Sequence, residues 1–387
     1  MNYLKGWTKK RRGKLLCSRN NVRYKEIRQK LLSLNILKEL TAFITRKYDP
    51  QEYFTTFEHA SLHQISIKQA CLMNRLQGRW CPSPEQVMKC CRKISPETMT
   101  NFINSALKAQ FNAHPKKIQQ QLKKSGTLII DFHKDCYYGD KDNPHVKKGK
   151  TKKSTTLFYE YLTADLYCNN GCFTIAILHR TPGEDIFSLT KRLLEYLEKV
   201  ISLKIILFDG EFATVDVLNL LLRKGVKFLG RKSRTQLVKE HLTTFYGDPD
   251  WENNRKWRPI ELRSKRSKSK AVSVEICPQN VHGVMKVLVK SPGWSITPKH
   301  ADKLYGKRFN IETGYRDKHE FQIFTCTKIL STRLLFFLFA ALLWNCWQCF
   351  LIWIRALKTY FKDLPREYLV QISANWFKFY LRNTHFI

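Results

Sequence analysis

Residues 305–320 of the 387-residue chain read YGKRFNIETGYRDKHE, and Tyr305, Arg308 and Glu312 recur there at helical spacing. At about 100° of rotation per residue these three share one narrow face with Arg316 and His319, while Asp317 and Lys318 point away. A carboxylate flanked by cations and a phenol is either a solvated stripe of ion pairs or a site where a metal-bound carboxylate works beside phosphate-binding cations. Two further acids, Asp131 in GTLIID and Asp209 in KIILFD, each close a short apolar run. The carboxyl end of a strand is where open α/β sheets bind ligands, and it holds a side chain rigidly. Singly, such an acid reads first as a turn residue. As a set without His or Cys, Asp131, Asp209 and Glu312 favour a hard, oxygen-binding cation, Mg²⁺ or Mn²⁺. With a polyanion as partner the matching chemistry is two-metal phosphoryl transfer, to which a protein contributes positioning and charge neutralisation.

The elements that must position these acids follow from the apolar pattern. Apolar runs at 126–131, 155–167 and 172–178 precede an amphipathic helix at 183–200 and a strand at 204–209. TVDVLNLLLRKG then reads as a helix closed by Gly225, and VKFLG as a strand. This order predicts an α/β core with a mixed sheet over 125–231. From 232 to 296 the stretches WRPIELRS, AVSVEIC and VMKVLVKS alternate apolar and polar residues, predicting a β-rich insertion. Helix resumes with Thr297 as N-cap and Pro298 at the first position, opening a C-terminal part over 297–387 with the stripe and further core helices. Within 1–124, SPEQVMKCCRK and SPETMTNFINSALKAQF each start with Ser, Pro and Glu in helix-opening order. That region reads as a basic helical DNA-binding domain of helix-turn-helix kind or as an ordinary helical bundle.

Charge narrows the partner. Lys and Arg number 68 against 32 Asp and Glu, a net +36, which implies a polyanion, with nucleic acid ahead of an acidic membrane. The run LLFFLFAALLWNCWQCFLIWI, 334–354, is long enough to span a bilayer. Asn345 and Gln348 near its middle favour instead a helix buried in a domain, and no membrane partner is expected. The N-terminus lacks the apolar segment of a secretion signal, so the 12 cysteines are expected to be reduced and the protein cytoplasmic. The lone CxxC, Cys346 and Cys349, falls short of the four ligands of a zinc site. KKGKTKK (147–153) and RSKRSKSK (263–270) read as phosphate-binding or merely solvated loops. Trp251 and Trp257 read as sheet-packing residues or as platforms for an unpaired base.

The stretches GTLIIDFHKDCYYGD, IILFDGEF and YGKRFNIETGYR together resemble insertion-sequence transposases of the DDE type, whose catalytic core is ribonuclease H-like. The resemblance covers roughly 125–360, including the β insertion, and extends into CTKILSTRLLFFLFAALLWNCWQ after the signature. It implies a ribonuclease H-like fold with Asp131, Asp209 and Glu312 as catalytic metal ligands. It also implies that Tyr305 and Arg308 contact the DNA end near the scissile phosphate, and that an aromatic such as Trp257 holds a flipped base. The family places a Lys seven residues after the Glu, where this chain has His319, with Lys318 one residue early. Either His319 or Arg316 then takes the phosphate, or the helix shifts register to present Lys318. Asp135 and Asp140 are alternative first ligands, and Glu211 reads as a solvated turn residue. The implied activity is nicking of double-stranded DNA at element ends and joining of the freed 3′-hydroxyl to target DNA. Acting on two ends together implies a homodimeric synaptic complex. Two other readings remain: a metal-dependent nuclease without joining, and a decayed transposase that only binds DNA.

Overall fold

The runs LII (128–130) and IILF (205–208) are apolar at every position, as strands covered on both faces require, and they pair side by side. In the computed structural model, the described residues are 48–114, 119–120, 123–124, 126–168, 171–246, 255–264, 271–281, 284–357 and 377. The basic stretch 1–47, Trp251 and residues 265–270 of the second lysine-rich run lie outside them. The chain divides into two compact units, one of residues 120–317 and one that joins the N-terminal part to residues from 318 onward.

Unit 120–317 is built on one sheet. β1 (Thr127–Cys136) pairs in parallel with β5 (Ile205–Phe208), and β5 in parallel with β6 (Lys227–Lys232). On its other side β1 pairs antiparallel with the long β3 (Thr155–Cys168). The first part of β3 pairs with β2 (Val146–Lys152) and the later part with β4 (Gly171–His179), both antiparallel. Beyond β6 come β9 (Val284–Lys290), β8 (Ala271–Val281) and β7 (Arg258–Arg263), all antiparallel. The sheet order is therefore β2-β3-β1-β5-β6-β9-β8-β7, with β4 beside β3. The β-rich insertion continues this sheet, because β9 bonds to the free edge of β6.

Three sequence expectations change here. KKGKTKK is a strand and hairpin rather than a loop: Lys153 and Ser154 take left-handed φ of 48° and 62° between β2 and β3, the conformation of a tight two-residue turn. Residues 232–296 are not β throughout, since they include a helix, Gln236–Tyr246. Asp131 does not end its strand, because β1 runs on to Cys136 along its antiparallel partner β3.

The second unit is helical where described. α1 (Pro50–His63), α2 (Ile67–Leu76), α3 (Pro84–Arg92) and α4 (Pro96–Ala113) are capped by Asp49, Ser66, Ser83 and Ser95, whose side chains accept backbone N–H groups. Between α4 and the C-terminal part, the sheet unit contributes α5 (Ile186–Leu197), α6 (Val215–Arg223), α7 (Gln236–Tyr246), α8 (Pro298–Gly306) and α9 (Phe309–His319). α10 (Leu330–Leu357) packs against α1, α3 and α4, and its segment Leu330–Cys349, long and apolar enough to cross a membrane, is buried throughout. Phe54 and Phe57 meet Phe339 at 5.7 and 5.1 Å. Asn345 donates to Gln110 Oε1 at 2.8 Å, and Gln110 donates to the Leu342 carbonyl at 2.9 Å. A polar side chain in mid-helix is thereby satisfied inside the unit, as buried amides require. Apolar on all sides, α10 needs cover all round. Helices on either side of the sheet unit in sequence therefore pack together.

Close packing also constrains β6. Gly230 lies opposite Phe208, and a Cβ added there would run into the Phe208 ring. Gly230→Ala is expected to lower stability by about 1–3 kcal/mol in thermal denaturation. Gly306→Ala, where an added Cβ meets nothing within 4 Å, is the matched control and should be neutral or slightly stabilising.

Candidate active site

Parallel register brings two distant acids together. Ile130 pairs with Phe208 across β1 and β5, so Asp131 and Asp209 occupy the next positions on the two adjacent segments, about 5 Å apart by strand spacing. Asp209 enters the short 3-10 turn Gly210–Phe212 without a side-chain capping bond, which leaves its carboxylate to the site. Phe132 and Phe212, each beside one of these acids, stack at 5.0 Å with 14° between planes and fix the two segments against each other.

Tyr305, Arg308 and Glu312 do not share one continuous helix. α8 ends at Gly306, and α9 starts at Phe309. Between them Arg308 N–H donates to the Tyr305 carbonyl and Ile311 N–H to that of Arg308, bonds of the tighter 3-10 kind. Lys307 holds this turn to the sheet with its ammonium 4.9 Å from the Tyr167 ring centre. The residues still converge, because the turn aims Arg308 inward. Its Nη1 donates to Asp131 Oδ2 at 3.2 Å and its Nη2 to Glu312 Oε1 at 2.6 Å. The guanidinium carbon lies 5.7 Å from the centre of the Tyr305 ring. Side-chain exposure is 6% for Arg308 and 17% for Asp131, but 49% for Glu312.

Tyr315, one turn after Glu312, pins α9 to the sheet. Its hydroxyl donates to the Asp131 carbonyl at 3.0 Å and lies 2.6 Å from Thr163 Oγ1 on β3. The sequence reading missed this residue. Its signal was the i+3 spacing from Glu312, with no clue to the partner on β1.

Burial dominates the electrostatics. It pushes the Asp131 carboxyl up to about 7, against the pull of Arg308 and the Phe132 N–H, with Asp209 and Glu312 adding to the rise. Burial likewise raises the Tyr305 and Tyr315 phenols. For Arg308 burial favours the neutral form, but Tyr305, Asp209, Asp131 and Glu312 together hold it above its ordinary value. The guanidinium is a fixed positive charge here.

Three carboxylates suit a hard divalent ion by donor chemistry. In this arrangement, however, Arg308 bridges two of them. Among the described residues no three His, Cys, Asp or Glu are gathered closely enough to hold a metal ion.

The other candidates have separate engagements. Lys318 is buried with its ammonium 4.3 Å from the Trp344 ring centre, so contact with a phosphate requires it to leave that ring. His319 is exposed and hydrogen-bonded through Nδ1 to Gln322 Oε1, and Arg316 is exposed. Trp257 donates its indole N–H to the Ile296 carbonyl at 2.6 Å and lies under the Lys290 ammonium, itself paired with Glu275. Asp135 accepts from the Tyr161 hydroxyl, Asp140 from the Asp142 N–H, and Glu211 pairs with Lys134 at 3.3 Å.

A basic cavity adjoins Asp209. It has a volume of about 280 Å³ and is lined by Gly210, Arg231, Lys232, Arg234 and Lys286 among others. Lys232 is anchored by donation to the Ala213 carbonyl at 2.7 Å. GRKSR was the sequence signal for Arg231, Lys232 and Arg234, and only the β5–β6 pairing places them beside Asp209, with Lys286 brought in by the β6–β9 pairing.

No protein-family model matches the chain, and no curated protein matches its sequence. Among solved structures, the piggyBac transposase synaptic complex with hairpin DNA is similar over 93% of this chain and 81% of that one, with a TM-score of 0.56 and 12% identity. The fold is similar to that of a transposase.

The Asp131 shift has a measurable consequence. Its folded pKa, about 7, lies above the ordinary carboxylate value, so folding favours the protonated form. That contribution is complete below about pH 4 and is lost as pH rises through 7. In EDTA, wild type should therefore lose about 2 kcal/mol more stability than Asp131→Asn between pH 5 and pH 8. Urea denaturation of both proteins at the two pH values measures the difference.

Proposed function

We propose that the chain is a DNA transposase of the DDE type, which nicks element ends and joins the 3′-hydroxyl to target DNA by metal-dependent phosphoryl transfer. The observation that carries this reading is the position of Asp131 and Asp209, each one residue past the Ile130–Phe208 pair of adjacent parallel strands, with Glu312 tied to Asp131 through Arg308. The strand order β4-β3-β1-β5-β6, antiparallel up to β1 and parallel from there, supports a ribonuclease H-like core. The net charge of +36 and a fold similar to a transposase in complex with DNA support a DNA substrate.

Asp131, Asp209 and Glu312 would hold Mg²⁺ or Mn²⁺, which when bound activates the attacking oxygen and stabilises the leaving one. The chain's own residues do the rest. Arg308 and Tyr305 hold the reacting phosphate, a role that suits a planar, permanently charged guanidinium. Arg231, Lys232, Arg234 and Lys286 take a neighbouring phosphate of the same strand in the cavity beside Asp209. Arg316 and His319, exposed on α9, contact the DNA further along. The half-buried engagement of Trp257 with Ile296 and Lys290 supports sheet packing over base stacking. Cutting two ends in concert calls for two copies of the site, hence a homodimeric synaptic complex. A second reading, DNA binding without cleavage, draws on His319 in place of the Lys and on the Arg308 bridge.

Supercoiled plasmid carrying the element's ends, incubated with Mg²⁺, with Mn²⁺ or with EDTA, tests the proposal. Nicking at the ends is expected with either metal and not with EDTA. Glu312→Gln should lower its rate by about a hundredfold or more while gel-shift affinity is kept. Equal binding with no nicking in either protein would establish the second reading, and cutting without joining would make the chain a nuclease.

A further inference from the structure

We propose that Arg308 is an internal counter-cation that keeps divalent metal out of the site until a DNA phosphate draws its guanidinium away, so that metal and DNA bind cooperatively. The inference rests on the reading that Asp131, Asp209 and Glu312 hold metal. It goes beyond that reading by fixing an order of assembly.

The guanidinium occupies the oxygens that a metal ion would use. Nη1 is 3.2 Å from Asp131 Oδ2 and Nη2 is 2.6 Å from Glu312 Oε1. A fixed positive charge at that position repels a divalent cation, and the repulsion is strong because Arg308 is only 6% exposed. The same group is equipped to leave. Its Nε is buried without a hydrogen-bond acceptor, so one donor stays unspent in the bridged state. An oxyanion with several acceptor oxygens satisfies a guanidinium more fully than two carboxylates that each accept one bond.

Geometry gives Arg308 a way out. It stands in the turn between α8 and α9, with helix on both sides but no mid-helix position of its own. Its partner Glu312 is 49% exposed, and Phe309, 5.1 Å from the guanidinium carbon, is 47% exposed. A side-chain rotation toward solvent therefore meets a phosphate approaching along this side, with no need to unwind a helix. Release of Arg308 frees Asp131 and Glu312 together, which turns one rearrangement into a two-site coupling. By linkage, DNA then tightens metal binding by the same factor as metal tightens DNA binding. A bare site would be kept from cutting or binding metal off its substrate.

Mn²⁺ binding to the full chain, stripped with EDTA and followed by loss of the free-ion electron paramagnetic resonance signal, tests the coupling. Duplex DNA of arbitrary sequence is the phosphate probe. Wild type alone should bind Mn²⁺ weakly, and roughly tenfold more tightly with DNA. Arg308→Gln should bind Mn²⁺ about tenfold more tightly than wild type without DNA, with little further gain when DNA is added. The double variant Arg308→Gln, Glu312→Gln should lose that gain. The wild-type comparison with and without DNA decides the matter even if Arg308→Gln folds poorly, because an Mn²⁺ affinity that DNA leaves unchanged overturns the proposal. An Arg308→Gln affinity equal to or below wild type, with Glu312→Gln still abolishing binding in the presence of DNA, overturns the counter-cation role alone and leaves the metal site standing. No specific Mn²⁺ binding by any protein, with or without DNA, overturns both.

Discussion

Parallel pairing of β1 with β5 is the constraint on which the site depends. Ile130 opposite Phe208 sets the register, and a slip of one residue would turn every side chain to the opposite face. Asp131 and Asp209 would then no longer project together. The register is protected by strands that are apolar on both faces, by Phe132 stacked on Phe212, and by Gly230, which leaves room for the Phe208 ring. Packing in the sheet thus determines electrostatics at its end. Two like charges are brought close, and something positive must answer them.

Arg308 is that answer. A buried guanidinium between two carboxylates is stable only where its charge is matched on more than one side. Asp131, Glu312, Asp209 and the Tyr305 ring supply that match. The break between α8 and α9 makes this possible, because a tighter turn at Lys307 and Arg308 aims the side chain inward while Tyr315 fastens the following helix to β1 and β3. A cation of the chain itself thus holds two of the carboxylates in place.

The helical unit obeys a different constraint. α10 is apolar all round and would be an unfavourable surface anywhere but in a core or a bilayer. α1, α3 and α4 bury it, and the Gln110–Asn345 amide pair settles its polar middle. Lys318 joins this core by laying its ammonium on Trp344, which explains why a lysine next to the signature is withdrawn from solvent.

Much was legible in the linear chain. Serines before prolines marked helix starts at Ser83, Ser95 and, with threonine, Thr297, because capping is a local affair of a few residues. Apolar runs ending in Asp131 and Asp209 marked the strands and the acids, because burial on both faces demands continuous apolarity. The spacing of Tyr305, Arg308 and Glu312 picked out side chains that do meet, on the wrong premise of one unbroken helix. Other features had no local signature. KKGKTKK became β2 because β3 offered it a partner edge, and Lys318 turned inward because Trp344 was there to receive it. Arg231, Lys232 and Arg234 reached Asp209 through strand pairing alone, and Tyr315 found the Asp131 carbonyl across the same sheet. The sequence by itself determined most of the strands and helices and which residues carry charge, because those depend on periodicity and side-chain type. Which of those charges meet, and which is held between which carboxylates, only the tertiary structure decided, because Coulomb and hydrogen-bond energies depend on distances that residue order does not contain.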